Sequence, residues 1–241
     1  MDSKYIELLN AAKEAEEKGR LDLVKEAEQL VLQIKDAELS FAFATRIKSA
    51  NVKAHEKVVI ASRKGFECYM FAQHVKGANV KALEKAVIKN RNYSIMVDFA
   101  TNVEGADIRA IEKALIRGGA ETSYECLDFA KRVKGANIKD LAINVTFSRE
   151  PAVIFRFAKE VPGADIKLLG SALAAREKEP EYNYRFATEI EGADKFAHGE
   201  AILRSRKGDW IAKAQQAGLI NDKLANAIDS IKSKLNNRDG K

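Results

Sequence analysis

The chain has 241 residues, with 41 Lys and Arg against 35 Asp and Glu, a formal net charge of +6. Hydrophobic residues make up 46% and charged ones 32%, a composition that suits a soluble helical protein. No run of 18 apolar residues is present, so no transmembrane helix is expected. Met1-Asp2-Ser3-Lys4 does not open a secretory signal, and a cytoplasmic protein is the expectation.

Residues 1–36 read as a pair of helices. Tyr5, Leu8, Leu9 and Ala12 fall at helical spacing, Gly19-Arg20 interrupts, and Leu23, Val24, Ala27, Leu30, Val31 and Ile34 resume the stripe. Glu14, Glu16, Glu17 and Lys18 sit where a solvated face belongs. The pair is expected to act as an N-terminal cap, shielding the core that follows on one side and meeting water on the other.

From residue 37 to 208 the chain repeats itself. The dipeptide Phe-Ala returns at Phe43, Phe71, Phe99, Phe129, Phe157 and Phe186, at intervals of 28, 28, 30, 28 and 29 residues. Four residues after each Phe stands Ile47, Val75, Val103, Val133, Val161 or Ile190; two before it stands Phe41, Tyr69, Val97, Leu127, Phe155 or Tyr184. That spacing makes the apolar stripe of a short helix, whereas a strand needs strict alternation. The first helix is expected to stop at Gly77, Gly105, Gly135, Gly163 and Gly192, with Ser49 in the first copy. Glycine accepts the left-handed conformation that follows a helix end. Asn51, Asn79, Asp107, Asn137, Asp165 and Asp194 then cap a second helix with a side-chain oxygen. Each unit reads as helix, three-residue turn, helix. Short isolated helices are marginal in water, so the units must stack. The expected fold is all-α: a right-handed α-solenoid of six helix-turn-helix repeats, capped by helices at both ends.

Residues 209–241 supply the closing cap. Asp209 can cap a helix starting at Trp210, which is expected to pack on the sixth repeat. Gly218 turns the chain, and Leu224, Ile228, Ile231 and Leu235 resume helical spacing. The tail 236–241 is expected to fray. The three segments form one continuous domain.

Two rows of bases are the candidate interfaces. Lys53, Lys81, Arg109, Lys139 and Lys167 each stand two residues after a capping Asn or Asp, and stacking aligns them into a ladder. A cation in the first helical turn opposes the helix dipole at a cost of a few tenths to about 1 kcal/mol. Glu56, Glu84 and Glu112, three residues further on, are expected to pair with their own base in copies one to three. Ala142 and Gly170 replace them in copies four and five, which singles out Lys139 and Lys167 as unpartnered. The second row follows the ends of the second helices: Arg63, Lys64, Lys89, Arg91, Arg117, Arg149, Arg176, Lys178, Arg204, Arg206 and Lys207. Bases there meet the negative pole of the helix, though such an edge could also track a phosphate backbone.

Catalytic patterns are missing from the sequence. His55 and His198 occupy one repeat position five units apart and cannot converge on a metal or substrate, and no zinc spacing, nucleophile elbow or phosphate loop is present. Cys68 and Cys126 share a repeat position two units apart, too far for a disulfide and suited to the core. No cofactor is expected.

The repeated core, as in Phe129-Ala130-Lys131-Arg132-Val133-Lys134-Gly135-Ala136-Asn137-Ile138-Lys139, resembles the short helix-pair repeats of uncharacterised phage and mobile-element proteins. Its build is similar to a compressed HEAT-type array. The resemblance covers residues 37 to about 208 and implies a phage or mobile-element origin, where such proteins often bind and block host machinery. The function expected is therefore a non-enzymatic protein-binding solenoid, an inhibitor of a host defence or other host complex, acting in the host cytoplasm. The alternative is a nucleic-acid-binding α-solenoid using a basic edge; a third and weaker reading is an enzyme of HEAT-like build acting on nucleic-acid bases.

Overall fold

A computed structural model describes residues 2–176 and 178–220. Among them the fold is all-α, with 15 α-helices, one short 3₁₀ turn and no strand. The expected closing helix at Leu224, Ile228, Ile231 and Leu235, and the tail 236–241, lie outside the described residues. Two compact units emerge among the described residues, one running to Leu115 and including Arg132–Ala136, the other made of Ile116–Lys131 and the residues from 137 to 220.

In the first unit the helices are α1 (Ser3–Glu17), α2 (Leu21–Ile34), α3 (Ala37–Arg46), α4 (Val52–Ala61), α5 (Gly65–His74), α6 (Val80–Asn90), α7 (Tyr93–Asn102) and most of α8 (Ile108–Arg117). Neighbours in sequence pack as hairpins: α1 on α2, α3 on α4, α5 on α6. Equivalent helices also pack on each other, α1 on α3 on α5 on α7 in one layer and α2 on α4 on α6 in the other. In the second unit, α10 (Ile138–Thr146), α12 (Ile166–Ala174) and α14 (Lys195–Ser205) form one layer. There α11 (Pro151–Glu160), α13 (Pro180–Glu189) and α15 (Gly208–Gln216) form the other. The chain crosses into the second unit within α8, and α9 (Ser123–Arg132), which follows a 3₁₀ turn at Gly119–Thr122, belongs to that unit except for Arg132. That turn accommodates the long interval between Phe99 and Phe129.

The repeat column forms the core. Phe43, Phe71, Phe99, Phe129, Phe157 and Phe186 are all completely buried, and the β-branched residues four positions on are buried with at most 8% exposed. The contacts repeat as closely as the residues do. Phe41 meets Phe71 at 6.4 Å and 55°, and Tyr69 meets Phe99 at 6.5 Å and 56°. Twelve residues after each Phe, the second helix delivers His55, Leu83, Ile111, Leu141, Leu169 or His198 into the same interior.

The turns form for local reasons. Asn51, Asn79, Asn137, Asp165 and Asp194 each accept the backbone N–H three residues on, and Asp107 accepts from Ala110 in the same way. The glycines differ in detail from the expectation. The first helices stop three residues earlier, and the chain closes a four-residue turn in which Ala78 N–H donates to Val75 C=O. Gly77 is its third residue, at φ 85°, the position that a type II turn reserves for glycine. Val161-Pro162-Gly163-Ala164 adds the proline favoured just before it. In the first copy, Ser49 stays out of the left-handed region, and Glu16 of α1 instead accepts the N–H groups of Lys48 and Ser49. The connection between helices is thus five residues, such as 133–137, rather than three.

Both ends depart from expectation in part. Val24 and Val31 of α2 are buried, but Leu23, Leu30 and Ile34 remain exposed: the apolar stripe is wider than the neighbouring helices cover. At the other end Lys207, not Asp209, precedes α15. Trp210 packs on Tyr184 of the sixth copy at 5.8 Å, as expected, with Lys213 over its ring.

Candidate binding surface

The buried carboxylates explain the charge of the surface. Glu56 and Glu84 are 8% and 4% exposed, and neither forms the expected ion pair with the base three residues before it. Each points away from its own helix and accepts the N–H of the capping residue of the next copy: Glu56 from Asn79 and Glu84 from Asp107, both at 2.6 Å. Glu28 of the N-terminal pair does the same for Asn51 at 2.5 Å, and also meets His55 Nε2 at 3.2 Å. The physical reason is competition. A capping residue's own N–H has no partner in its turn, and a buried carboxylate satisfies it through a charge-assisted bond. A lysine at a helix start gains little from an exposed pairing. Burial pushes the carboxyl of Glu84 above the ordinary glutamate range, against the opposing pull of that N–H. Only Arg109 follows the expectation, donating to Glu112 at 2.6 Å.

The consequence appears on the outside. In the first unit, α4, α6 and α8 expose Lys53 and Lys57; Lys81, Lys85 and Lys89; and Arg109 and Lys113. Their three glutamates, Glu56, Glu84 and Glu112, are all buried. These bases recur every four residues along each helix, one turn apart and on one face. The exposed charge of these three helices is therefore positive throughout. Asp107, just before α8, is engaged with Ala110 N–H. Between α4 and α6 runs a groove of about 750 Å³ with Ile60, Ala61, Ala82 and Ala86 along it and Arg63, Lys85 and Lys89 at its rim. Sequence reasoning missed Lys57, Lys85 and Lys113; the signal was the recurrence of Lys directly after each of the three glutamates.

Lys139 and Lys167 lie in the second unit, on α10 and α12, and both are exposed. Their surroundings differ. One and two turns on from Lys139 come Ile143 and Phe147, 41% and 65% exposed, and from Lys167 come Ser171 and Ala175. The ladder thus broadens into a cationic field only in the first unit.

The second row of bases divides. Arg176 donates to the carbonyls of Thr146 and Ser148, Arg204 to that of Ala174 and Lys207 to that of Lys178. These are free carbonyls near the ends of preceding second helices, so the bases serve the fold. Arg63 and Lys89 have no such role and line the groove. The first-helix side is charge-balanced by comparison. Arg132 meets Asp98 at 2.7 Å, Glu160 holds Lys131 and Arg156, and Glu189 holds Lys159 and Arg185. The two bases on Glu160 hold its carboxyl down at about 2.

The residues weighed for chemistry are packed inside. Cys68 and Cys126 are buried thiols, and burial raises the Cys68 thiol to about 11. His55 stacks on Phe43 at 5.0 Å and His198 on Phe186 at 4.7 Å. No cluster of three or more His, Cys, Asp or Glu among the described residues has metal-binding geometry, and no described helix is long and apolar enough to cross a membrane. No family model, curated protein or solved structure matches this chain.

Proposed function

We propose that the chain is a non-enzymatic binding scaffold, a right-handed α-solenoid of six helix-pair repeats with HEAT-like build, which acts by covering an anionic surface of a macromolecular partner. The observation that carries the reading is the single-signed face of α4, α6 and α8. Within the first unit seven exposed cations occupy it, with Arg117 one turn further along α8, while its three glutamates are turned inward. Like charges held this close repel one another in the free protein, and an anionic partner relieves that repulsion while speeding encounter. The inward use of His55, His198, Cys68, Cys126 and the three glutamates of these helices supports a scaffold, since each is engaged in packing or in hydrogen bonds that serve the fold. A blocking protein encoded by a phage or other mobile element, acting in its host's cytoplasm, needs no more than such a surface.

The test is retention on an immobilised sulfated polysaccharide at low salt. The unaltered chain is expected to bind and to elute with salt. The charge reversal Lys57→Glu/Lys85→Glu/Lys113→Glu is expected to elute much earlier, with an unchanged circular dichroism spectrum. Identical elution of the two proteins would remove this face from the function.

A further inference from the structure

We infer that the α4–α6–α8 face of the first unit docks on the phosphate backbone of double-stranded nucleic acid, without reading bases. This rests on the reading of that face as the working surface and names the partner. Successive bases along each helix are about 6 Å apart, and neighbouring helices lie about 10 Å apart. Three helices therefore spread their charge over roughly 20 Å, a length in which a duplex carries about a dozen phosphates. The groove between α4 and α6 adds an apolar floor beneath Arg63, Lys85 and Lys89. A strand presents alternating phosphate and sugar, charge for the rim and carbon for the floor.

The kind of cation decides between partners. Six of the seven are lysines, residues depleted at protein interfaces, where aromatic and arginine anchors dominate. Arg109 is already tied to Glu112. Lysines act as point charges towards phosphate and need no fixed orientation. The large exposed apolar side chains lie elsewhere, among them Phe66 on α5, Tyr124 on α9, Ile143 on α10 and Phe147 just past its end. No exposed aromatic on α4, α6 or α8 offers a base something to stack on, which disfavours single strands. Asn90, the amide beside the groove, already donates to the Arg63 carbonyl at 2.5 Å, so it does not read a base edge.

The experiment measures binding of the full chain to two DNA duplexes of unrelated sequence, an RNA duplex, a single strand of equal length and polyglutamate, over a salt series. Expected is equal affinity for the two DNA sequences, with log K falling against log[salt] at a slope of about −4 to −5, as for about five neutralised phosphates. Between 50 and 200 mM salt, that slope is a loss of about 500-fold. The triple variant Lys57→Gln/Lys85→Gln/Lys113→Gln is expected to flatten the slope by about 2 to 3, while Lys139→Gln/Lys167→Gln leaves it unchanged. Binding to either the DNA or the RNA duplex supports the inference and identifies its source. Tighter binding to the single strand, preference for polyglutamate, or an unchanged slope in the triple variant overturns it. Polyglutamate preferred over duplex would leave the scaffold reading standing with an acidic protein as partner, whereas retention on no polyanion would sink both.

Discussion

His198 shows how one residue can break a repeat without breaking the fold. It sits where four copies place Leu83, Ile111, Leu141 and Leu169, 1% exposed, with Nδ1 at 2.7 Å from the side-chain Oδ1 of Asn183. Asn183 lies in a column otherwise filled by Ser40, Cys68, Met96, Cys126 and Ile154, so polar residues occur in this column only in the two copies that carry a histidine. In copy six the asparagine reaches the ring. In copy one the shorter serine does not, and both Ser40 Oγ and His55 Nδ1 are left without a partner. Burial lowers His198 from its ordinary 6.5 to about 4. Between those values the unfolded chain binds a proton that the folded chain refuses. Stability is therefore full above about 6.5 and falls as the pH drops towards 4, by about 3 kcal/mol. Replacing the pair with the residues of copy five, His198→Leu/Asn183→Ile, is expected to remove this part of the pH dependence. His55, also lowered by burial against the pull of Glu28, keeps its own part. Urea unfolding at intervals across this pH range checks it; a slope equal to that of the unaltered chain would show that the ring is not the titrating group.

At the scale of an element, each glutamate turned inward belongs to the helix pair after its own. Glu84 joins α6 to the start of α8 through Asp107 N–H, and Glu56 joins α4 to the start of α6 through Asn79 N–H. Glu84→Ala is expected to cost about 2–3 kcal/mol, because a buried N–H loses its acceptor as well as the bond itself. Glu84→Gln keeps an acceptor oxygen at the same place and is expected to cost less than half as much. The denaturation midpoint at constant m-value measures both, and equal losses would mean that charge, rather than acceptance, is what matters there. The same contrast explains what could be read from sequence. The Asn and Asp caps, the turn glycines and the Phe column were legible, since each depends on partners within a few residues or on a period visible along the chain. The glutamates were not: their partners stand 23 residues away, and a nearer lysine offered a plausible pairing. Arg176 and Arg204 were ambiguous for the same reason, reaching carbonyls 28 to 30 residues back. The ladder was half legible, one row of a field whose other rows show only when α4 and α6 lie side by side.

For the molecule as a whole, stacked helix pairs imply that one pair can be removed if the cut respects the period. Arg63 and Arg91 stand 28 residues apart in the same left-handed conformation, φ 57° and 59°. Deleting residues 64–91 joins Arg63 to Asn92, which keeps its bond to Ile95 N–H and starts α7 as before. In the shortened chain, Glu56 takes Asp107 N–H in place of Asn79 N–H, and Phe41 meets Phe99 in place of Phe71. These core and capping contacts thus have equivalents one shift along, while the bonds of Asn90 to the Arg63 carbonyl and of Asn102 to the Tyr69 hydroxyl are lost, and only one interface is removed from the sum that stabilises a stacked array. The 28-residue deletion is expected to unfold cooperatively with unchanged helicity per residue, somewhat below the unaltered chain. Deleting 64–77 instead removes half a pair and places α6 in the layer of first helices, where its buried Leu83 and Glu84 have no matching neighbours; this chain is expected to lose cooperative unfolding. Far-UV circular dichroism against urea separates the two. The longer deletion also removes Lys81, Lys85 and Lys89, so its salt slope on duplex is expected to fall by about 2 to 3. A shortened chain that folds yet keeps the full slope would move the docking surface away from α6.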